Sequence, residues 1–142
     1  MNPPAATPGT ILISDDDPFF VRILGDPLKQ AGFKVVGDTR CEVVALAKEH
    51  RPEVIVLDVI QPVLGLELLA QLKRDPQTRE IPVVVVSGHP DPDFKAFCLS
   101  FGAADYAAKP PDERFVMRVA RMAVSRHQAP TPLRLPVPVS SI

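Results

Sequence analysis

Four apolar runs in this chain each end in a residue able to do chemistry. ILIS runs into three carboxylates, Asp15, Asp16 and Asp17; VIVL ends at Asp58, VVVV at Ser87 and DYAA at Lys109. Neighbouring carboxylates repel one another unless a cation sits among them. Hard oxygen donors with no His or Cys beside them favour Mg²⁺, which keeps several waters and recruits phosphate oxygens to complete its octahedron. A lone Asp at the end of a buried run, as Asp58 is, suits a nucleophile, because carboxylates form acyl phosphates. A hydroxyl such as Ser87 can hydrogen-bond a phosphoryl oxygen, and an ammonium such as Lys109 can neutralise another.

Each residue also has a plainer reading. Asp17 before Pro18 fits a helix N-cap followed by proline at the first helical position. Ser87 alone reads as a turn residue, Lys109 alone as a solvated charge, and His89 as a solvated loop residue. The chemical reading gains weight from their arriving together, which requires elements that bring the four run ends to one place.

Those elements follow from periodicity. Thr10–Ser14 reads as a strand, and Phe19, Ile23 and Leu24 recur at helical spacing until Gly32, with Pro27 expected to kink or split that helix. Lys34–Gly37 is a second strand, Val43, Val44, Leu46 and Ala47 a short helix, and VIVLD at 54–58 a third strand of the kind buried on both faces. Leu66, Leu69 and Leu72 mark a helix that closes near Asp75-Pro76, and Ile81–Val86 is a fourth strand. Phe94, Phe97, Cys98 and Phe101 at i, i+3, i+4, i+7 predict an amphipathic helix, DYAAK a fifth strand, and Phe115, Val116, Val119, Ala120 and Ala123 a last helix. Alternating strands and helices without hairpin signals imply an α/β fold: a doubly wound five-stranded parallel sheet with helices on both faces. In such sheets ligands bind beyond the carboxyl ends of the strands, where all four chemical residues fall.

The totals set limits. A chain of 142 residues fits one domain, and a net charge of −1 lacks the basic footprint of a nucleic-acid binder. Proline crowds the ends, MNPPAATPG and APTPLRLPVPVSSI, so residues 1–9 read as a tail, 10–127 as the folded domain, and 128–142 as a tail or the start of a linker. No apolar run approaches the ~20 residues of a membrane span and no leader pattern opens the chain, which points to a soluble cytoplasmic protein without membrane contact. Cys41 and Cys98 are in no metal-binding or disulfide pattern and are expected to be free, partly buried thiols.

ILISDDDP, VIVLDVIQP, VVVVSG and DYAAKP, in that order, resemble the receiver (CheY-like) domain of two-component response regulators. The resemblance covers nearly all of Thr10 to about Arg126. It implies the flavodoxin-like strand order 2-1-3-4-5. It also implies that Asp58 is the phosphoacceptor and that Mg²⁺ is held by Asp15, Asp16, Asp58 and the backbone carbonyl of Ile60. Ser87 and Tyr106 then correspond to the switch hydroxyl and switch aromatic, and Lys109 to the lysine before a cis Lys-Pro bond. The implied partners are a histidine kinase or histidine phosphotransfer protein, and a downstream protein reached through the helix 4–strand 5–helix 5 face once Ser87 is drawn to the phosphoryl group and Tyr106 turns inward. A phosphorylation-linked homodimer through the same region, where Arg114, Arg118 and Arg121 share a helix face, belongs to this reading, and direct contact with nucleic acid does not.

The chain departs from the family pattern in places. After Pro62 the usual Asp is missing and Gly65 arrives one residue early, so the neighbouring loop should be shorter or the third helix should start differently. Ile60 is aliphatic where fast-hydrolysing members are polar, and His89 occupies a second rate-tuning position, which together imply slow autodephosphorylation. Two other functions fit the acids less well. One is a phosphate-independent scaffold; the other is an Mg²⁺-dependent phosphohydrolase of the haloacid-dehalogenase kind, which carries its nucleophile on the first strand in a DxD pattern and needs a substrate pocket.

Overall fold

A computed structural model describes residues 9–59, 62–88 and 91–128, with the backbone alone for Pro62, Val63 and Gln128. Residues 1–8 and 129–142, read above as tails, lie outside the described residues, as do Ile60 and His89.

Each apolar run is a strand and each helical stripe a helix. Strands β1 (Thr10–Ser14), β2 (Lys34–Asp38), β3 (Val54–Asp58), β4 (Val83–Ser87) and β5 (Asp105–Ala108) alternate with helices α1 (Pro18–Gln30), α2 (Val43–His50), α3 (Pro62–Arg74), α4 (Pro92–Ser100) and α5 (Glu113–Gln128). All strand pairs are parallel, in the order β2-β1-β3-β4-β5. Successive side chains of a strand point to opposite faces, and the aliphatic runs therefore feed two cores. Leu12, Ile55, Leu57, Val83 and Val85 pack with residues of α2, α3 and α4, including Val43, Leu69 and Cys98. Ile11, Ile13, Val54, Val56, Val84 and Val86 pack on the other face with residues of α1 and α5, including Leu24, Leu28, Phe115 and Val119. At ~25 cal/mol per Å² of buried apolar surface, these unbroken Val/Ile/Leu strands supply the main drive for folding.

Four local outcomes differ from the sequence reading. Helix α1 continues through Pro27, because Ile23, whose carbonyl loses its usual donor, is half-exposed and its turn faces water. Strand β4 starts at Val83: the Ile81 N–H is used in a turn to the Thr78 carbonyl, and Pro82 has no N–H to offer. Of the α4 stripe only Cys98 is buried and Phe94 partly so, while Phe97 and Phe101 are 56% and 45% exposed. The stripe is wider than the strip of α4 that meets the sheet. Cys41, expected to be partly buried, is exposed, at a left-handed backbone position with φ of 59°.

Two helix starts are fixed by Asp-Pro pairs. Asp17 caps α1 by accepting the Phe19 N–H at 2.9 Å, and Asp91 does the same for α4 with the Asp93 N–H. At the other pole of the sheet, Glu53 gathers several elements. Its N–H donates to the Thr10 carbonyl at 2.7 Å, and its carboxylate lies 3.2 Å from His127 Nδ1 and 3.6 Å from Arg126 Nε. Arg126 also donates to the Glu80 carbonyl at 2.6 Å.

Candidate functional site

Register carries the chemical residues to one level. Ser14 stands opposite Leu57, Asp58 opposite Val86, and Ser87 opposite Ala108. The ladder continues one residue past the strands through Asp15 N–H to the Asp38 carbonyl, Val59 N–H to the Val86 carbonyl and Lys109 N–H to the Ser87 carbonyl, at 2.8–2.9 Å. Asp15, Asp58, Ser87 and Lys109 thus meet at the carboxyl edge of the three central strands and β5.

The three acids do different work. Asp15 is buried, accepting the Asp17 N–H on Oδ1 and the Lys109 ammonium on Oδ2, at 2.9 and 2.8 Å. Asp16 is exposed, and Asp17 is spent on capping. The Asp58 side chain is 2% exposed. Lys109 Nζ lies 2.8 Å from its Oδ1 as an ion pair, and among the described residues no other donor reaches that buried oxygen. Burial disfavours the Lys109 ammonium, yet the two carboxylates outweigh it and hold the pKa above the ordinary lysine value. Its charge also lies over the Phe20 ring, 4.2 Å from the centroid, a cation–π contact. The Lys109-Pro110 peptide bond is cis.

Oxygen atoms of Asp15, Asp16 and Asp58 lie within 4.8 Å of one another. Two of the three side chains are withdrawn from solvent, one oxygen has only the Lys109 ammonium against it among the described residues, and no nitrogen or sulfur ligand belongs to the set. That chemistry fits a hard divalent cation such as Mg²⁺. The acids form one wall of a cavity of about 190 Å³ whose apolar wall includes Val59, Leu64 and Leu68, with Cys41 also lining it.

Ser87 is buried beside the acids, and Tyr106 lies behind it on β5. The Tyr106 ring is already inside, edge-on to Phe94 with centroids 6.1 Å apart, where the resemblance implied an inward turn still to be made. Its hydroxyl is buried without a partner among the described residues. Ile60 and His89, assigned to metal binding and rate tuning, fall outside the described residues. Sequence reasoning missed Asp38, the buried acid ending β2. It accepts the Ser14 hydroxyl at 2.8 Å and the Arg40 and Glu42 N–H groups at 3.0 and 3.1 Å, stiffening the loop beside Asp15. The signal was present, since Asp38 follows an apolar run as the other acids do.

The sequence matches the family described as response regulator receiver domain over residues 11–121. The chain belongs to the response regulator receiver family. This receiver is 34% identical over 110 residues to the protein PilH of Pseudomonas aeruginosa, a match spanning 76% of this chain and 91% of that protein. It is 32% identical to the phosphate regulon transcriptional regulatory protein PhoB of the same organism, covering 94% of this chain but 58% of PhoB, so the receiver spans little more than half of that relative. Among solved structures, a response regulator from Desulfuromonas acetoxidans is 30% identical with a TM-score of 0.71, covering 79% of this chain and 94% of that one. The signal receiver domain of a histidine kinase from Syntrophus aciditrophicus is 27% identical with a TM-score of 0.73, covering 91% and 99%.

Proposed function

We propose that this receiver takes a phosphoryl group onto Asp58 from a phosphohistidine of a histidine kinase or phosphotransfer protein, with Mg²⁺ held by Asp15, Asp16 and Asp58. The observation that carries the reading is the buried Asp58 carboxylate, with Lys109 at 2.8 Å and two further carboxylates within reach. In the transfer an Asp58 oxygen attacks phosphorus, the P–N bond to the donor imidazole breaks, and its electron pair returns to the ring nitrogen. Lys109, held by Asp15 and by the Phe20 ring, stands ready to neutralise a phosphoryl oxygen. Bound Mg²⁺ would offset the remaining phosphoryl charge, and the family pattern adds the Ile60 carbonyl to its ligands.

Phosphorylation adds about −1.5 to −2 charge and three acceptor oxygens, to which the Ser87 hydroxyl would be drawn. Tyr106 then acts through a population shift. Its buried hydroxyl has no partner among the described residues, which weakens the inward packing. Movement of Ser87 would favour it and alter the α4–β5–α5 surface. That surface displays Leu99, Met117 and the Arg118–Asp105 ion pair at 2.7 Å, and is where a downstream protein or a phosphorylation-linked second copy would bind. Ile60 and His89 would set a slow loss of the phosphoryl group.

The cavity of about 190 Å³ is smaller than the ~300 Å³ of ordinary small-molecule pockets, which favours a signalling module over a phosphohydrolase. Among the described residues no helix is long and apolar enough to cross a membrane, in keeping with the cytoplasmic setting this role requires. The test is incubation with acetyl phosphate or beryllofluoride and Mg²⁺, read by intact mass and Tyr106 fluorescence. An adduct in the wild type that is lost in Asp58→Asn is expected. No adduct in the wild type, or the same adduct in the variant, would leave the phosphate-independent scaffold as the reading. A phosphoryl lifetime of seconds would overturn the assignment to Ile60 and His89.

A further inference from the structure

Helix α3 and the end of α4 border an open groove of about 550 Å³ that takes no part in the acid site. Its α3 wall is Leu66, Glu67, Ala70, Gln71 and Arg74, and its α4 wall is Phe101. Phe97, one turn before Phe101, shares that side of α4 and is the more exposed of the two rings, at 56%. Two exposed phenylalanines beside a helix carrying Leu66 and Ala70 make an apolar patch. Neighbouring charges are already used: Asp75 pairs with Lys48 at 2.6 Å, and Lys73 donates to the Arg79 and Ile81 carbonyls. Among the described residues Glu67 and Arg74, at the two ends of the patch, have no ion-pair partner in their own chain.

Their spacing selects an occupant. Glu67 and Arg74 are seven residues apart on one face, two turns or roughly 10.5 Å, too far to pair with each other. A two-fold axis between Ala70 and Gln71 sets Glu67 of one α3 against Arg74 of an antiparallel copy, twice over. Ala70, the smallest side chain of the wall, lies at the centre, where the two helices come closest. A self-complementary charge pattern around an apolar centre is what an isologous contact requires. We propose that the α3–α4 face pairs with a second copy of this chain, through reciprocal Glu67–Arg74 ion pairs flanking Leu66, Phe97 and Phe101. The contact rests on the receiver fold and not on phosphorylation, and it uses the side of α4 away from α5. One helix and two rings form a small interface, in the weak class below about 1,200 Å² in total.

Charge exchange tests it. Sedimentation equilibrium of the unphosphorylated full chain is run between about 1 µM and about 1 mM, the range in which weak contacts fill. Expected is an apparent mass rising from one chain toward two, with Glu67→Arg and Arg74→Glu each at least tenfold weaker. An equimolar mixture of the two variants should regain association, because every pair across the axis is then opposite in charge. The double variant should regain it alone. Circular dichroism checks that each variant is folded, and both changes are exposed helix positions. A wild type that stays monomeric to about 1 mM, single variants that associate like wild type, or a mixture that fails to recover would each overturn the proposal. So would association that needs beryllofluoride and is lost in Arg118→Glu, which would place the contact on the α4–β5–α5 face.

Discussion

At the scale of single residues, the site holds three carboxylates around one ammonium. Lys109 serves Asp15 and Asp58 together and makes two buried acids tolerable side by side. The surplus negative charge should make Asp58→Asn more stable than wild type in a chelator, by on the order of 1 kcal/mol, since Lys109 keeps Asp15 as partner. Added Mg²⁺ should reverse the order, raising wild-type stability by about 2.7 kcal/mol at a hundredfold excess over Kd and leaving the variant unmoved. Urea unfolding with and without the metal checks both, and a variant less stable than wild type in chelator would contradict the charge argument. Of these residues, the acids, Ser87 and Lys109 were legible because each terminates an apolar run. The bridging contact of Lys109 and the ring beneath it were not, since Phe20 reads as one more apolar position of α1 and only the folded chain sets it against β5.

At the scale of elements, the departure after Pro62 becomes a packing arrangement. Helix α3 starts at Pro62, and Gly65 lies in its first turn against the Val59 side chain, where an added Cβ would come within 2.7 Å of Cγ2 and closer still to Cγ1. The early glycine thus lets α3 press against the residue that follows Asp58. Gly65→Ala, which elsewhere in a helix would stabilise by roughly 1 kcal/mol, should here destabilise by about 1–3 kcal/mol through overpacking, read as a lower urea midpoint with an unchanged slope. On the proposed phosphoacceptor reading it should also slow phosphorylation of Asp58, because the collision pushes on Val59. The strands and helices were legible from period alone, apart from ends decided by individual hydrogen bonds: Ile81 donates into a turn, and Asp38 extends β2 to cap the following loop. The α4 stripe misled because periodicity reports which residues share a side, and not how much of that side another element covers.

At the scale of the whole molecule, two apolar layers enclose a sheet whose ionic contacts lie at the edges, and one of these makes a pH-dependent contribution. Asp75 follows α3 and pairs with Lys48 of α2; that bond, and then the Gln77 N–H, hold its pKa below the ordinary aspartate value. A carboxylate depressed in the folded state stabilises above its unfolded pKa of about 3.9 and loses that contribution as pH falls through the folded value. Asp75→Asn should therefore unfold at a lower temperature than wild type near pH 7, and the gap should close as pH drops below the ordinary aspartate range. A gap that is constant with pH would assign the effect to lost geometry alone. The overall architecture was the most legible level of all, because parallel order follows from strands too apolar to face water and too far apart in sequence to form hairpins. The clasp at Glu53 was not legible. It joins the start of β1 to the last turn of α5, so the polypeptide enters and leaves at one pole while the acids face the other, roughly 16 Å of strand away. Topologically the described chain is a loop nearly closed on itself. It should therefore tolerate insertion into another protein, or circular permutation with the ends joined near Glu53, with the acidic end of the sheet left open.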